Sequence, residues 1–449
     1  MRGARETACM AVPEDDAVPK DDAVPEDVAV PHKRLAVVGQ GYVGLPLAMQ
    51  AVAAGYSVVG FDTDEGRTKR LAAGQSFVED VPSAAVRAAI DAGRYEATSD
   101  PAALARFDVA VITVPTPLRE GNPDLSFIES AARTLSAHLR RGATVVLEST
   151  TYPGTTEELV GPLLEEGSGL AAGVDFHLGY SPERIDPGNS TWRFANTPKV
   201  VSGVDGPSLA AVKGFYDDLV ETTVPVGSTR VAELTKLLEN TFRHVNIALV
   251  NELAMFAADL GIDAWEAIDA ASTKPFGFMP FRPGPGVGGH CLPIDPSYLS
   301  WRVKRALGQS FRFVELANDV NDHMPDYVVR RVIVSLNRRK QAVNGSRILL
   351  LGLAYKRNTS DARESPVVAV ADRLLALGAD VRAADPHVVE ASVSERVRRV
   401  ECTPEEVAAA DLVVLLTDHD DFDYDMVAST AAAVFDTRHR MQGPTVEQL

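Results

Sequence analysis

The feature that most limits what this chain can become lies near its start. An apolar run, Leu35–Val38, leads straight into Gly39-Gln40-Gly41-Tyr42-Val43-Gly44, and a second apolar stretch, Leu45–Ala54, runs on to Gly55. Apolar strand, tight turn and apolar helix in immediate succession form the first part of a βαβ unit. Tyr56–Phe61 supplies the next strand, and Asp62 stands 18 positions past Gly44, near the place of an acidic ribose ligand. Gly39 permits the turn, Gly41 lets backbone amides approach a pyrophosphate, and Gly44 lets helix and strand pack closely. The helix N-terminus adds the positive end of its dipole, and Pro46 falls in the first turn, where its missing N–H costs nothing. Asp62 suits two ribose hydroxyls and repels a 2′-phosphate, so NAD is expected over NADP. Arg67 is the nearby group that could receive that phosphate.

The stretch from Leu35 to Phe61 carries no charge and exceeds the roughly 20 residues of a membrane span. Its five glycines, Pro46 and Gln40 break it into strand, turn, helix and strand, so no span is expected. A chain of 449 residues calls for more than one core. Lys+Arg 44 against Asp+Glu 62 gives 44 − 62 = −18, a surface that repels nucleic acid and anionic lipid. Cys9, Cys291 and Cys402 are too few and too far apart for a disulfide framework and lack CxxC spacing, which points to a reducing, cytoplasmic setting. Residues 11–34 repeat a hexapeptide, AVPEDD, AVPKDD, AVPEDV, AVPHKR. Rich in proline and acid, it cannot bury enough apolar surface to fold, so residues 1–32 are expected to be a disordered tail, without the apolar centre of a signal peptide.

Further strands are expected at Val109–Val114 and Thr144–Glu148, each ending in turn-forming residues. Ligands of a doubly wound sheet collect outside the carboxyl ends of its strands, which makes Thr116 and Thr150 candidates for a cofactor crevice, against ordinary loop and cap roles. Val231–Leu260 reads as a long helix, and Phe313–Arg339 as a second, interrupted near Pro325; such helices can form the spine of a dimer. Lys236 and Asn240 are four apart on one face, with Arg243 close to the same stripe. Between the helices comes Pro283-Gly284-Pro285-Gly286-Val287-Gly288-Gly289-His290-Cys291-Leu292-Pro293-Ile294-Asp295-Pro296. Four glycines ahead of a cysteine strip side chains from the backbone and let a ligand approach, so Cys291 is read as a nucleophile. His290 and Cys291 are adjacent and make poor metal geometry; no metal is expected. Ser346–Gly352, Pro366–Leu377 and Asp380–Asp385 form a second βαβ unit without the glycine fingerprint, leaving its ligand to side chains such as Lys356 and Arg363. Asp418-His419-Asp420-Asp421 reads as a solvated strand end.

VVGQGYVGLPLA, ESTTYPGTT, SPERIDPG, LLENTFRHVNIALVNELA, PGPGVGGHCLPIDP and GLAYKRNTSDARESP stand in the order found in the UDP-glucose/GDP-mannose dehydrogenase family, which the chain resembles over about residues 33–440. The PGPGxGGHCxPIDP form looks most like UDP-N-acetylglucosamine or UDP-N-acetylmannosamine 6-dehydrogenases. UDP-glucose enzymes usually carry a GGxCFPKD-like loop, and here Leu292 and Ile294 replace its Phe and Lys.

The resemblance implies an α/β fold of two Rossmann-like, doubly wound parallel-sheet domains joined by a long central helix. Its expected divisions are 33–225 for NAD, 226–340 for the central helical dimerisation domain with the cysteine loop, and 341–449 for UDP. It implies oxidation of a sugar C6 alcohol to a carboxylate with two NAD, through a cysteine thiohemiacetal and thioester, in a homodimer or higher homo-oligomer. NAD would be met by Gly39, Gly41, Tyr42, Val43, Gly44, Asp62, Arg67, Thr113, Pro115, Thr116, Thr150 and Arg363. UDP-sugar would be met by Glu183, Lys236, Asn240, Arg243, Gly288 and Lys356. Cys291 would be the nucleophile and Glu183 the base for water, with Thr150 placing water near the nicotinamide. Lys236 and Asn240 would hydrogen-bond the developing oxyanion, and Lys236 with Asp295, through water, would assist loss of the alcohol proton. A 6-phosphogluconate or 3-hydroxyacyl-CoA type of dehydrogenase shares the opening pattern but needs neither the cysteine nor a second Rossmann unit. A non-catalytic NAD sensor needs no thiolate.

Overall fold

Alternation along the first strand already requires cover on both of its faces. In the computed structural model, which describes residues 33–186, 189, 191–289, 292–388 and 394–449, Leu35 and Val37 enter one apolar cluster and Ala36 and Val38 another. A strand buried on two sides belongs to a parallel sheet with helices on each face. Strands β1 (Arg34–Val38), β2 (Ser57–Phe61), β3 (Tyr95–Thr98), β4 (Val109–Ile112), β5 (Thr144–Leu147), β6 (His177–Tyr180), β7 (Lys199–Gly203) and β8 (Thr223–Pro225) form that sheet in the order β8-β7-β6-β5-β4-β1-β2-β3. All neighbours are parallel except β6 and β7, which pair antiparallel through Gly179↔Gly203. The strand order reverses between β1 and β4, and the glycine turn opens at that point.

A second doubly wound sheet repeats the plan. Strands β9 (Arg347–Leu351), β10 (Asp380–Ala384), β11 (Arg398–Arg399), β12 (Leu412–Leu415), β13 (Val434–Asp436) and β14 (Val446–Gln448) run wholly parallel in the order β11-β10-β9-β12-β13-β14. Ile348 and Leu350 face one cluster, Leu349 and Leu351 the other.

Helix α1 (Gly44–Ala53) follows the glycine turn, and α2 (Thr229–Leu260) leaves the first sheet. The Ser228 side chain caps α2 by accepting from the Val231 N–H, and Gly261 ends it at φ 71°. Two more helices, α3 (Asp295–Leu307) and α4 (Arg312–Arg338), lead to the second sheet. The expected interruption at Pro325 is absent: α4 is continuous. Its first half packs on α2 through Ala317 and Val320 against Ala248, and its second half, Met324 to Leu336, lies in the core of the second sheet. Packing on both sides of the proline outweighs the one lost hydrogen bond. No helix among the described residues is long and apolar enough to cross a membrane. The expected tail, 1–32, and Cys291 lie outside the described residues.

Candidate active site

Gly39 has φ +97°, and a Cβ there would meet the Thr113 carbonyl oxygen at 2.7 Å; a Cβ on Gly44 would run into the Gly39 carbonyl. Around Gly41, by contrast, nothing lies within 4 Å of a built Cβ, so the turn has open space where a pyrophosphate would rest. Tyr42 and Val43 lead from that turn into α1, and Tyr42 is partly exposed. The Thr113 hydroxyl donates to the Val38 carbonyl at 3.0 Å and that of Gly39 at 2.8 Å, so it pins the turn to β4. Thr116 is buried just past Pro115, and Thr150 is half-buried beyond the end of β5.

Asp62 is nearly buried at the end of β2. Its Oδ2 accepts from the Gln40 backbone N–H at 2.8 Å and from Arg67 Nη1 at 2.8 Å, and Oδ1 accepts from the Asp64 N–H at 2.9 Å. Arg67 is therefore held by the carboxylate and is not free to receive a 2′-phosphate. NAD is expected to outperform NADP at least tenfold in kcat/KM, about 1.4 kcal/mol. Equal values for the two cofactors would show that the arginine leaves Asp62 and governs the ribose pocket.

The helix periodicity that paired Lys236 with Asn240 places both inside the protein, 8% and 3% exposed. Asn240 Nδ2 donates at 2.5 Å to Oδ2 of Asp295, itself 3% exposed in the first turn of α3. Burial pushes the Asp295 carboxyl up to about 6, against the pull of Lys236, the Asn240 hydrogen bond and Arg243. Arg243 is exposed at the rim of this cluster. Glu183 is buried in the loop after β6, with Oε1 accepting from the Ile185 N–H.

The two sheets meet beside these residues. Lys356 Nζ pairs with Asp186 at 2.5 Å, the Ser360 N–H donates to Glu79 at 3.0 Å, and the Arg363 guanidinium lies 5.2 Å from the Tyr42 ring while pairing with Asp361. The glycines before Cys291 also answer a packing constraint that the sequence does not show. A Cβ on Gly288 would meet the Glu364 carbonyl at 2.7 Å and Tyr355 at 2.8 Å, and one on Gly289 (φ +84°) would meet the Tyr355 ring at 2.7 Å. Missing side chains here let the loop press against the second Rossmann unit. Asn251 anchors the loop's start, its Oδ1 accepting from the Gly284 N–H at 2.9 Å and its Nδ2 donating to Asn321 at 2.9 Å.

The Asp418–Asp421 stretch is more built than a solvated strand end. His419 is fully buried, with Nε2 3.0 Å from Asp385 and Nδ1 3.0 Å from the Asn358 N–H. Among the described residues no group of three or more His, Cys, Asp or Glu could hold a metal.

Several buried ionic residues lie outside the sequence expectations. Glu233 in α2 accepts from the N–H groups of Gly154 at 2.5 Å and Thr156 at 2.9 Å, tying the loop after β5 to the central helix. Glu148, Lys199 and Tyr216 form a cluster behind Glu183. A carboxylate closing the apolar strand VVLE was the one visible sign of it.

Comparison with known proteins agrees with this geometry. Residues 33–220 match the UDP-glucose/GDP-mannose dehydrogenase family NAD binding domain, residues 230–323 its central domain and residues 349–443 its UDP binding domain. A UDP-N-acetyl-D-glucosamine 6-dehydrogenase of Pseudomonas aeruginosa is 38% identical over 394 residues, 87% of this chain and 91% of that protein. A UDP-N-acetyl-D-mannosamine dehydrogenase of Pyrococcus horikoshii is 35% identical over 87% of this chain and 90% of its own length. Among solved structures, a UDP-D-ManNAc dehydrogenase from Pyrococcus horikoshii superimposes with a TM-score of 0.84 at 32% identity, covering 92% of this chain and 98% of that one. A UDP-glucose dehydrogenase from Pyrobaculum islandicum gives 0.83 at 29% identity over 95% and 98%. With a glycine turn open above Gly41, a buried Asp62 carboxylate held against it by the Gln40 N–H and three successive domain matches, the chain belongs to the UDP-glucose/GDP-mannose dehydrogenase family and is an NAD-dependent enzyme.

Proposed function

We propose that the protein is a UDP-N-acetylhexosamine 6-dehydrogenase of the cytoplasm, with UDP-N-acetylglucosamine as first substrate and UDP-N-acetylmannosamine as second. The observation that carries this reading is the buried cluster of Lys236, Asn240 and Asp295, the last of which stands four residues beyond Cys291 in sequence. A buried ammonium beside an amide is suited to an oxygen that gains negative charge, and costs little reorganisation when that charge appears. The names of the N-acetylhexosamine relatives and the Leu292 and Ile294 replacements favour the N-acetyl sugar over UDP-glucose.

NAD supplies the hydride acceptor in each of two half-reactions. In the first, the C6 hydroxyl passes its proton through water to the Asp295 carboxylate, while Lys236 and Asn240 stabilise alkoxide character at the oxygen. In the second, Cys291 sulfur bonds to the aldehyde carbon, giving a thiohemiacetal and then a thioester. Glu183 takes a proton from water; the freed electron pair forms the new C–O bond, and the C–S pair leaves on sulfur. Lys356 and Gly288 hold the sugar nucleotide, Arg363 and Tyr42 border the cofactor, and Thr150 places water near it. A panel of UDP-hexoses assayed for NADH tests the reading. Two NADH per sugar with an N-acetylhexosamine preference supports it; a preference for UDP-glucose moves the substrate, and one NADH per sugar removes the acid-forming half.

The proposed homodimer rests on α2. Val231, Leu234, Leu238, Phe242, Leu249, Leu253, Phe256 and Leu260 are all exposed and recur at three, four and seven residues, one continuous stripe along a 32-residue helix. A second copy of the same stripe is the self-complementary cover for it. Light scattering is expected to give twice the chain mass. Leu238→Glu and Leu249→Glu are each expected to weaken the dimer at least thirtyfold, roughly 2 kcal/mol for a central apolar residue. An unchanged dimer in the double variant would place the interface elsewhere.

A further inference from the structure

Behind Glu183 lies an ionic cluster that the cofactor and sugar readings do not use. Glu148 follows β5 and is fully buried; one of its oxygens takes Lys199 Nζ and the other accepts from the Tyr216 hydroxyl at 2.6 Å. Lys199 Nζ also lies 3.9 Å from Glu183 Oε2, so one ammonium bridges the two carboxylates. That Oε2 is buried with no hydrogen-bond partner among the described residues. Every neighbouring element contributes: Lys199 comes from β7, Tyr216 from the helix Gly206–Asp217, and Tyr180 and Glu183 from β6 and its loop. The buried Tyr180 hydroxyl also feels the charges of Glu233 and Asp295, and the rings of Phe194 and Tyr216 lie 5.4 and 5.1 Å from the Lys199 ammonium.

Two carboxylates and one ammonium leave a surplus negative charge in a space almost closed to water. Such a surplus is costly at low dielectric, and a proton arriving there is held tightly. Burial raises the Glu148 carboxyl above the ordinary carboxylic range; Lys199 opposes the rise and Glu183 adds to it.

We propose that Glu148 is a positioning residue: bridged to Glu183 by Lys199, it offsets the charge of that ammonium so that Glu183 can take the proton drawn from water, with the proton held between the two carboxylates. This rests on the reading of Glu183 as the base in acid release. In that step the water O–H bond breaks, its electron pair joins oxygen to the acyl carbon, the C–S pair leaves on the Cys291 sulfur, and the proton enters the pair. It returns to solvent afterwards.

A purely structural ion pair would tie β5 to β7 without setting the basicity of Glu183, and the direction of a pH shift separates the two roles. Glu148→Gln leaves Glu183 alone against Lys199, removes the surplus charge and weakens the base. Acid release in a single turnover is expected to slow about tenfold, with UDP-sugar and NAD binding within about twofold, and its acid limb to move down by about half a pH unit or more. Tyr216→Phe keeps the ring, removes a donor that favours ionised Glu148, and is expected to move the limb up; it carries the test if the glutamine variant does not fold. Glu183→Gln is the reference. Wild-type acid release in Glu183→Gln would overturn the base reading and this proposal with it. Loss of acid release in Glu183→Gln, with the limb unmoved in Glu148→Gln and Tyr216→Phe, would overturn the proposal alone.

Discussion

Cys291→Ser is expected to lower net turnover at least about a thousandfold while UDP-sugar and NAD still bind within about twofold of wild type. The reason lies in which half-reaction needs the sulfur. Loss of the first hydride from an alcohol requires support at oxygen, the role proposed for Lys236 and Asn240. An aldehyde is a poor hydride donor until a nucleophile adds to its carbon. A thiol ionises near neutral pH and a serine hydroxyl does not, so the serine variant is expected to pass the first step and stall before the second. Residual product should be aldehyde, its hydrate or a trapped hemiacetal, with NADH near one per sugar in a single turnover. Uronate formed by Cys291→Ser at a rate near wild type, with two NADH per sugar, would remove the thioester route.

What the chain reveals before folding is what is encoded locally. The turn from Gly39 to Gly44 and the acid at Asp62 are legible because a strand, a turn and a helix lie within one short window, and the structure adds only that Arg67 is occupied by Asp62. Helical spacing likewise places Lys236 beside Asn240, although burial of the lysine depends on Asp295, which is 55 residues from Asn240. Pro325 misleads because a proline reads as a break, whereas here the helix is clamped from both ends by packing that local sequence does not show. At Gly288 and Gly289 the glycine run suggests ligand access, but it does not show that a Cβ there would meet Tyr355 and Glu364, contacts between units far apart in sequence. Least legible is the pair of Glu148 and Lys199: 51 residues apart, each looks like the polar end of an apolar strand until the antiparallel turn of β7 beside β6 carries the lysine inward.

Lys236→Met is expected to slow the first hydride step by about a hundred- to a thousandfold, the effect of removing one preorganised partner of a developing oxyanion. Methionine keeps most of the lysine's length and apolar contact, so the change acts on charge. A second consequence follows for Asp295. Burial already lifts this carboxyl to about 6, and Lys236 is the first of the groups that pull it back. Below that pH the wild-type carboxyl takes a proton, ceases to be an anionic acceptor for Asn240 Nδ2, and loosens the amide proposed to meet the substrate oxygen. Wild-type activity should therefore fall as pH drops through about 6. Without the ammonium the carboxyl holds its proton to higher pH, so the acid limb of Lys236→Met should move upward as its plateau falls. Rapid-mixing measurement of the first NADH formed, taken across pH, reads both effects. A rate within about threefold of wild type, on an unmoved limb, would separate Lys236 from the chemistry and leave it an ordinary buried counter-charge.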